Sequence, residues 1–302
     1  MLILIAGITG MCGQPCARAA LAKGHQVRGI GRNPDKLDAD VGSKLESFVT
    51  TPDMTDRAAL DKAVKGVDAI ICALSYLPEV VVDVQLALLR VAERAGVKIF
   101  HGASWNYDWT KLQLGDHENY DAYLAFHRTA QLTSSIKPIY GFTGSIIEYI
   151  FYWTDRAKPL DKDTHTVPYI GTGDEKYIYI TVDDLAAYTV AAIEAPGAAQ
   201  GGNYYVESFR CTIREFAQMY GQARGGLEMQ LRCDASTEMA EEMLAEARRT
   251  TDPRNWQKYI GLAYVTLMNN KKIDFDAVDS KRWAGQVKQT SLREWFEQHP
   301  DV

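Results

Sequence analysis

A chain of 302 residues, 46% apolar and 24% charged, is long enough for one large α/β domain with a smaller part attached, and its balance is that of an ordinary globular protein. Its formal net charge of −6 lacks the basic excess that a nucleic-acid partner needs, and no apolar run reaches the about 18 residues of a membrane span, so neither is expected as a partner. Five scattered cysteines, Cys12, Cys16, Cys72, Cys211 and Cys233, argue against a disulfide framework; no Cys/His pair completes a metal site, so no metal is expected.

The opening run MLILIAG is too short for a secretory signal and has no basic leader. It reads as a buried first strand, in a protein expected in the cytoplasm. Short apolar runs then alternate with helical patterns. Strands are predicted over 2–6, 26–30, 45–49, 68–73, 97–101 and 135–140, and helices over 13–23, 56–65, 80–95 and 119–133. That rhythm implies βαβ units with right-handed crossovers. The fold class is therefore read as α/β, a doubly wound parallel-sheet Rossmann fold with a smaller C-terminal substrate lobe.

After Phe142 the rhythm changes. KYIYITVDDLAAYTVAAIEAPG reads as a strand and a helix from about Asp183, with Asp183 and Asp184 as caps and a stop at Pro196-Gly197. GGNYYVES reads as a strand, followed by a helix from about Thr212; 236–247 is strongly helical, and TSLREWFEQHP is a terminal helix with a Thr/Ser N-cap. The expected division is 1–150 as a cofactor-binding Rossmann domain and 151–302 as a mixed α/β lobe packed on it, not independent of it.

The first βα turn, Gly7-Ile8-Thr9-Gly10-Met11-Cys12-Gly13, is a G-x-x-G-x-x-G run between a strand and a helix. Glycines there allow a tight turn, close approach of backbone to a pyrophosphate, and helix–strand contact. The helix N-terminus adds N–H donors and a positive dipole end. Gly7, Thr9, Gly10, Met11, Cys12 and Gly13 are therefore expected to hold a dinucleotide. After the second strand an NAD site places an acid about 20 residues past the glycines. This chain has Arg32 and Asn33, with Lys36 one turn on. A guanidinium matches a 2′-phosphate, so NADP(H) is expected over NAD(H). Asp53 and Met54 should frame the adenine side, and Ala73, Leu74 and Ser75 the nicotinamide side. Ala103, His127, Ile139, Tyr140 and Phe142 are also read as cofactor-binding. Tyr76 is a pocket residue or a packing residue.

Tyr123 and His127 stand four apart in the segment YLAFHR, on one helical face. The spacing can present two proton-handling groups to one substrate, and also occurs on ordinary amphipathic helices. Tyr120 is the rival hydroxyl. SWNYDWTKLQLGDHENYD has loop composition yet carries Trp105, Tyr107, Trp109 and Tyr120. Loops of that kind cover hydrophobic ligands, so a bulky, partly aromatic substrate is expected, touched by Tyr76, Trp105, Tyr107, Tyr120, Tyr152 and Trp153.

GITGMCG, GIGRNPDKL, PDMTDRAALDKAVKGVDAII, SSIKPIYGF, YITVDDLAAYTVAAIEAP and TIREFAQMYG together resemble the NmrA-like branch of atypical short-chain dehydrogenases/reductases, which includes isoflavone-reductase-like enzymes. The resemblance covers nearly the whole chain. It implies an NADPH-dependent reductase of small, often aromatic secondary metabolites, with hydride passing to a C=C, C=O or C=N carbon. In the reductase members a Lys on the helix after the fifth strand assists catalysis; the matching position here is His127. Against broader short-chain dehydrogenases, Tyr123 and His127 copy a Tyr-x-x-x-Lys spacing, and Ser104 matches a frequent Ser. A His suits proton transfer, since its ordinary pKa is near 6.5. His127, through Tyr123 or water, is thus expected to protonate the developing anion, with Ser104 nearby. Two other readings stand: a redox-neutral isomerase or rearrangement catalyst, and a non-catalytic NADP(H)-sensing regulator. A monomer or a homodimer is expected.

Overall fold

The computed structural model describes residues 1–152 and 159–302. Its strands are β1 (Leu2–Ala6), β2 (Gln26–Gly31), β3 (Ser47–Thr50), β4 (Ala69–Cys72), β5 (Ile99–His101), β6 (Ile139–Phe142), β7 (Ser145–Ile146), β8 (Thr166–Ile170), β9 (Lys176–Ile180), β10 (Gly202–Tyr205), β11 (Phe209–Thr212) and β12 (Gln230–Ala235). Seven of them form one parallel sheet in the order β10-β6-β5-β4-β1-β2-β3. The order reverses between β1 and β4, which opens a crevice at their carboxyl ends. Ile3 to Ala6 of β1 and all of β4 are buried, because central strands of a parallel sheet are covered on both faces.

The helices are α1 (Gly13–Ala22), α2 (Ala39–Gly42), α3 (Arg57–Val64), α4 (Gln85–Ala95), α5 (Glu118–Thr133), α6 (Ile147–Tyr152), α7 (Val182–Glu194), α8 (Ile213–Ala223), α9 (Thr237–Thr250), α10 (Ile260–Asn269), α11 (Val278–Arg282) and α12 (Leu292–Gln298). One face of the sheet is covered by α3, α4 and α5, through Leu60, Leu88, Leu89, Tyr123 and Phe126. The other is covered by α1 and α7, through Cys16, Ala17, Ala20, Leu185 and Tyr188. The small buried residues of α1 fall at helical spacing, which lets it lie close against both sheet and α7.

All six strands and four helices expected in the first half are present, with ends shifted by up to five residues. The helix expected over 80–95 opens with a π-helical turn, Val80–Val84, before α4. The N-cap of α7 is Thr181, which accepts from the Asp184 N–H; Asp184 instead holds Ser208 and Thr290, and Asp183 lies in the first turn. The terminal helix α12 has the expected cap: Ser291 and Glu294 form a capping box.

Past residue 151 the chain crosses between layers more than once. Helix α7 packs on α1, and β10 completes the main sheet beside β6. Around these lie a three-stranded sheet, β11-β9-β7, and a pair, β12-β8. A third core of Ile147, Tyr179, Phe216, Trp295 and Phe296 joins α6, α8 and α12. Helix α10 packs on α9 and sends Tyr264 into the core beside α5.

Candidate functional site

The glycine loop lies in the crevice between β1 and β4. Gly7 has φ +80°, and a Cβ there would meet the Ala73 carbonyl oxygen at 2.3 Å. A Cβ on Gly13 would meet the Gly7 oxygen at 2.4 Å. Neither position admits a side chain, so the loop is held flat against β4 and α1. Two backbone bonds close it, Gly10 to the Gly7 oxygen at 3.0 Å and Gly13 to the Gly10 oxygen at 3.1 Å. Among the described residues nothing accepts from the N–H groups of Thr9, Met11 and Cys12. Three unpartnered donors at a helix N-terminus whose first turn carries no acid fit a pyrophosphate. Burial, with Glu148 nearby, pushes the Cys12 thiol up to about 12, so it is a wall of the loop and not a nucleophile.

The loop after β2 is tied to α1. Gln14 accepts from the Asp38 N–H at 2.7 Å and donates to the Lys36 oxygen at 3.4 Å. Arg18 takes the carboxylates of both Asp38 and Asp40. Arg32 and Lys36 are exposed and pair with no carboxylate among the described residues. Two uncompensated cations beside the glycine loop fit a 2′-phosphate. Asn33 is spent locally: its side chain caps a short 3₁₀ turn at Asp35. Asp53 is likewise engaged with the Thr55 N–H and hydroxyl, bonds that hold its carboxyl below the usual range. Met54 packs on the core beneath.

At the ends of β4 and β5 the crevice is built from backbone. Ala73 donates to the Ala6 oxygen at 2.8 Å, and Leu74 lies against Gly7. Ser75 accepts from the Leu77 N–H. Gln85, fully buried, accepts from the Ala103 N–H at 2.9 Å and donates to the Val81 oxygen at 2.9 Å, locking the loop after β5 to the π turn after β4.

Helix α5 brings Tyr120, Tyr123 and His127 along one side. Tyr123 is 7% exposed, and its hydroxyl makes no hydrogen bond to a described residue. Burial raises its pKa, and its electrostatic neighbours are Tyr264, Cys12, Tyr149 and Tyr76. Tyr123 therefore lies near the glycine-loop residue Cys12, among several other tyrosines. Tyr76, 39% exposed, meets Tyr149 edge-on at 6.5 Å, so it stands at the rim. His127 sits a turn deeper, half-buried, with Trp109 at 5.7 Å and Tyr140 at 5.2 Å between ring centres. Its Nδ1 is buried without a partner among the described residues. Burial first, then Arg128, lowers its pKa, so it is neutral at pH 7.

Several expected contacts are placed elsewhere. Ser104, 2% exposed, donates to the Gly102 oxygen at 3.2 Å and accepts from the Gly141 N–H at 2.8 Å. Its hydroxyl is a strut between β5 and β6 and is not free for substrate. Ile139, Tyr140 and Phe142 are core side chains; Ile139 lies on the α7 face and the other two against Trp109. Trp105 stacks on His101 and donates to Thr189, again on the α7 side. Tyr107 exchanges hydrogen bonds with both backbone groups of Ile178. The loop thought to cover a ligand thus turns its rings inward, with Trp109 fully buried, because Asn106 pairs with Phe142 and Asp108 with Ile273. Tyr152, 46% exposed, donates to Asp301 near the C-terminus. Trp153 lies outside the described residues.

Residues not expected here are Tyr149, Tyr264, His117, Asn106, Asn119, Gln85 and Glu148. Glu148, buried and with its pKa raised by that burial, accepts from Trp295 at 2.8 Å and from the Val182 N–H at 3.1 Å behind Cys12. No sequence signal marks these, since each acts through a partner distant in the chain. Among the described residues no His/Cys/Asp/Glu group could hold a metal, and no helix is long and apolar enough to cross a membrane. An open depression of about 550 Å³ lies at the opposite end of the strands, bordered by Met1, Ile99, Glu194 and Gln200. Ligands of doubly wound sheets bind at the carboxyl ends, so the crevice and not this depression is the site.

The model of the NmrA-like family matches residues 1–232, and the chain belongs to that family. A bifunctional pinoresinol-lariciresinol reductase of Linum usitatissimum is 26% identical over 204 residues; the match spans 64% of this chain and 64% of that protein's length. The fold is shared with AtPrR2 in complex with NADP+ and (+)-pinoresinol, at a TM-score of 0.76 and 20% identity over 98% of this chain and 97% of that one. It is shared too with a ternary complex of leucoanthocyanidin reductase from Vitis vinifera, at 0.78 and 16% identity over 99% of both.

Proposed function

We propose that this member of the NmrA-like family is an NADPH-dependent reductase of a hydrophobic, partly aromatic small molecule. The observation that carries the proposal is the juxtaposition at the β1/β4 crevice. A glycine loop with three unpartnered N–H groups and two uncompensated cations faces a ring of tyrosine hydroxyls. The relatives named for reduction of pinoresinol and lariciresinol support the same reading.

In this reading Thr9, Met11 and Cys12 hold the pyrophosphate through their N–H groups, and Arg32 and Lys36 hold the 2′-phosphate. NADPH, when bound, supplies a hydride. Tyr76, Tyr123, Tyr149 and Tyr264 line the pocket and orient an aromatic ligand by edge and face contacts. Burial keeps the Tyr123 hydroxyl protonated, so in this reading it is a neutral hydrogen-bond donor to the atom that takes up negative charge as hydride reaches its neighbour. The proton that completes the product comes from water, and His127, neutral and one turn behind, is placed to relay it between its two ring nitrogens.

The test follows the hydrogen. The protein is incubated with NADPH deuterated at the transferring position and a panel of lignans and isoflavonoids that includes pinoresinol, and products are read by mass spectrometry. Deuterium in a product is the expected result. Altered ligand without deuterium would replace the reading by redox-neutral catalysis. Tight NADPH binding with no turnover across the panel would replace it by a sensor.

A further inference from the structure

Helices α9 and α10 form a hairpin with a core of its own. Leu244, Tyr259 and Ala263 are buried together, with Trp256 and Ile260 against them, and this cluster shares no residue with the core under α5. The two ends of the hairpin leave the body side by side. Asn269 donates to the Thr237 hydroxyl at 3.0 Å and to the Ile170 oxygen at 3.2 Å, and Leu267, Ile273 and Phe275 sit in the main core. That end is anchored. The tip is a 3₁₀ stretch broken at Asn255, with residues 252–255 exposed.

One carboxylate holds the tip down. Arg248 donates to both oxygens of Glu118, at 2.8 and 3.0 Å, and to the Asp116 oxygen at 2.9 Å. The buried Tyr259 lies beside the same carboxylate. Glu118 is the first residue of α5, the helix that carries Tyr120 and Tyr123. Behind this contact α10 lays Tyr264 over the start of α5, and the seam is poorly satisfied. His117 is fully buried between Tyr120 and Tyr264, each ring centre 4.4 Å away, and neither of its nitrogens has a partner among the described residues. One atom of the Asn119 amide is likewise buried without a partner. Such atoms have given up water and gained nothing, so native folds keep few of them. Gly261, in the first turn of α10, has nothing within 4 Å of where a Cβ would stand. No packing requires a glycine there, and it loosens the helix.

We propose that the α9–α10 hairpin is a hinged flap over the tyrosines of the crevice, latched at its tip by Arg248 on Glu118. Closed, it seals the aromatic end of the site; open, it admits the ligand and returns water to the stranded atoms of His117 and Asn119. The inference rests on the placement of the pocket made above, and not on hydride transfer.

The test reads solvent access and needs no ligand. The full chain, Arg248→Ala and Glu118→Gln are compared by amide hydrogen exchange and by hydroxyl-radical footprinting, each located by mass spectrometry. Both variants are expected to exchange the amides of 259–264, and to oxidise Tyr120 and Tyr264, about three- to tenfold faster than wild type, the weight of a partly exposed bidentate ion pair. The strands β1 and β4 and the anchored 267–275 should not change. Glu118→Gln keeps the shape of the side chain and covers the case in which Arg248→Ala folds poorly. Arg249→Ala, which removes an exposed pair with Glu246 on the same helix, should leave every rate as it was. Equal rates in wild type and both latch variants, or acceleration spread over the whole chain, would overturn the flap. A tether supplies the converse. Glu118→Cys with Arg248→Cys, in a Cys233→Ser background that lacks the exposed thiol, is bridged by a bis-maleimide with a cleavable disulfide. Bridging should slow oxidation of Tyr120 and Tyr264 to the level of the fully buried Trp109, and cleavage should restore it. Faster opening in the latch variants with no deuterium transfer from NADPH would sink the reductase reading and leave the flap. Deuterium transfer at the wild-type rate in the bridged protein would keep the reductase and overturn the flap.

Discussion

His117 gives the fold an acid-labile point whose size can be worked out. Its ring is fully buried, and burial lowers its pKa from 6.5 to about 3. The unfolded chain therefore takes up this proton first as pH falls. Stability is complete above pH 6.5 and is lost below it, at about 1.4 kcal/mol per pH unit for this one group, reaching roughly 5 kcal/mol near pH 3. His117→Phe removes the titration, keeps a ring against Tyr120 and Tyr264, and sacrifices no hydrogen bond, because neither nitrogen makes one. Other groups titrate as well. Glu93, pulled down to about 2, loses its contribution only as pH falls from the ordinary carboxylate range, and Glu148 and Asp184, raised by burial, add stability there. Those terms are common to both proteins and cancel in the difference. Urea unfolding of each protein between pH 7.5 and 4.5 should show the wild type losing about 3 kcal/mol relative to His117→Phe. Parallel stability curves would refute the burial argument and mean that His117 is charged or solvated in the folded state.

Two further outcomes separate the roles argued above. Arg32→Glu should weaken NADPH binding by about ten- to a hundredfold, the loss of one charge-assisted phosphate contact, and leave NADH binding little changed; titrations that find wild-type affinity for the two cofactors equal would remove the 2′-phosphate assignment. Ser104→Ala should cost about 1–3 kcal/mol in unfolding free energy, because the Gly141 N–H loses its acceptor, with turnover per folded molecule close to wild type. A large fall in turnover at unchanged stability would return Ser104 to the reacting centre.

The cofactor half of the site was legible in the sequence because its signals are local. LILIA is a continuous apolar run, GITGMCG fixes a turn by glycine spacing, and Arg32 occupies the position where an NAD site needs an acid. In the proposed site backbone does the recognising, and backbone geometry follows from neighbours in the chain. The substrate half was not legible for the converse reason. Tyr264 meets Asn106 and Asn119 only because α10 packs beside α5, more than a hundred residues away in the chain. Composition identified 104–121 as an aromatic-rich loop but could not say which way its rings turn. Tyr107 and Trp109 turn inward because the loop hydrogen-bonds to β6 on one side and to Ile273 on the other. Likewise GGNYYVES was readable as a strand, whereas its place beside β6 depends on α7 having crossed the sheet first.

The same physics accounts for a histidine where the family resemblance expects a lysine. His127 is half-buried between Trp109 and Tyr140, and the one charge that acts on it is that of Arg128. A lysine there would bring a fixed cation into a place where no carboxylate among the described residues is seen to act, with another cation beside it, at a desolvation cost that none of them offsets. Imidazole avoids that cost by staying neutral, and in doing so it gives up the steady positive field a lysine supplies. The pocket compensates, in this reading, with neutral donors. Tyr123 lies near Cys12 with its proton kept by burial, and Tyr264, close by, accepts from two amides. A site that works through oriented neutral hydroxyls binds an oxygen acceptor without requiring it to be charged. That matches a phenolic or ether-linked aromatic better than a carboxylate or a phosphate.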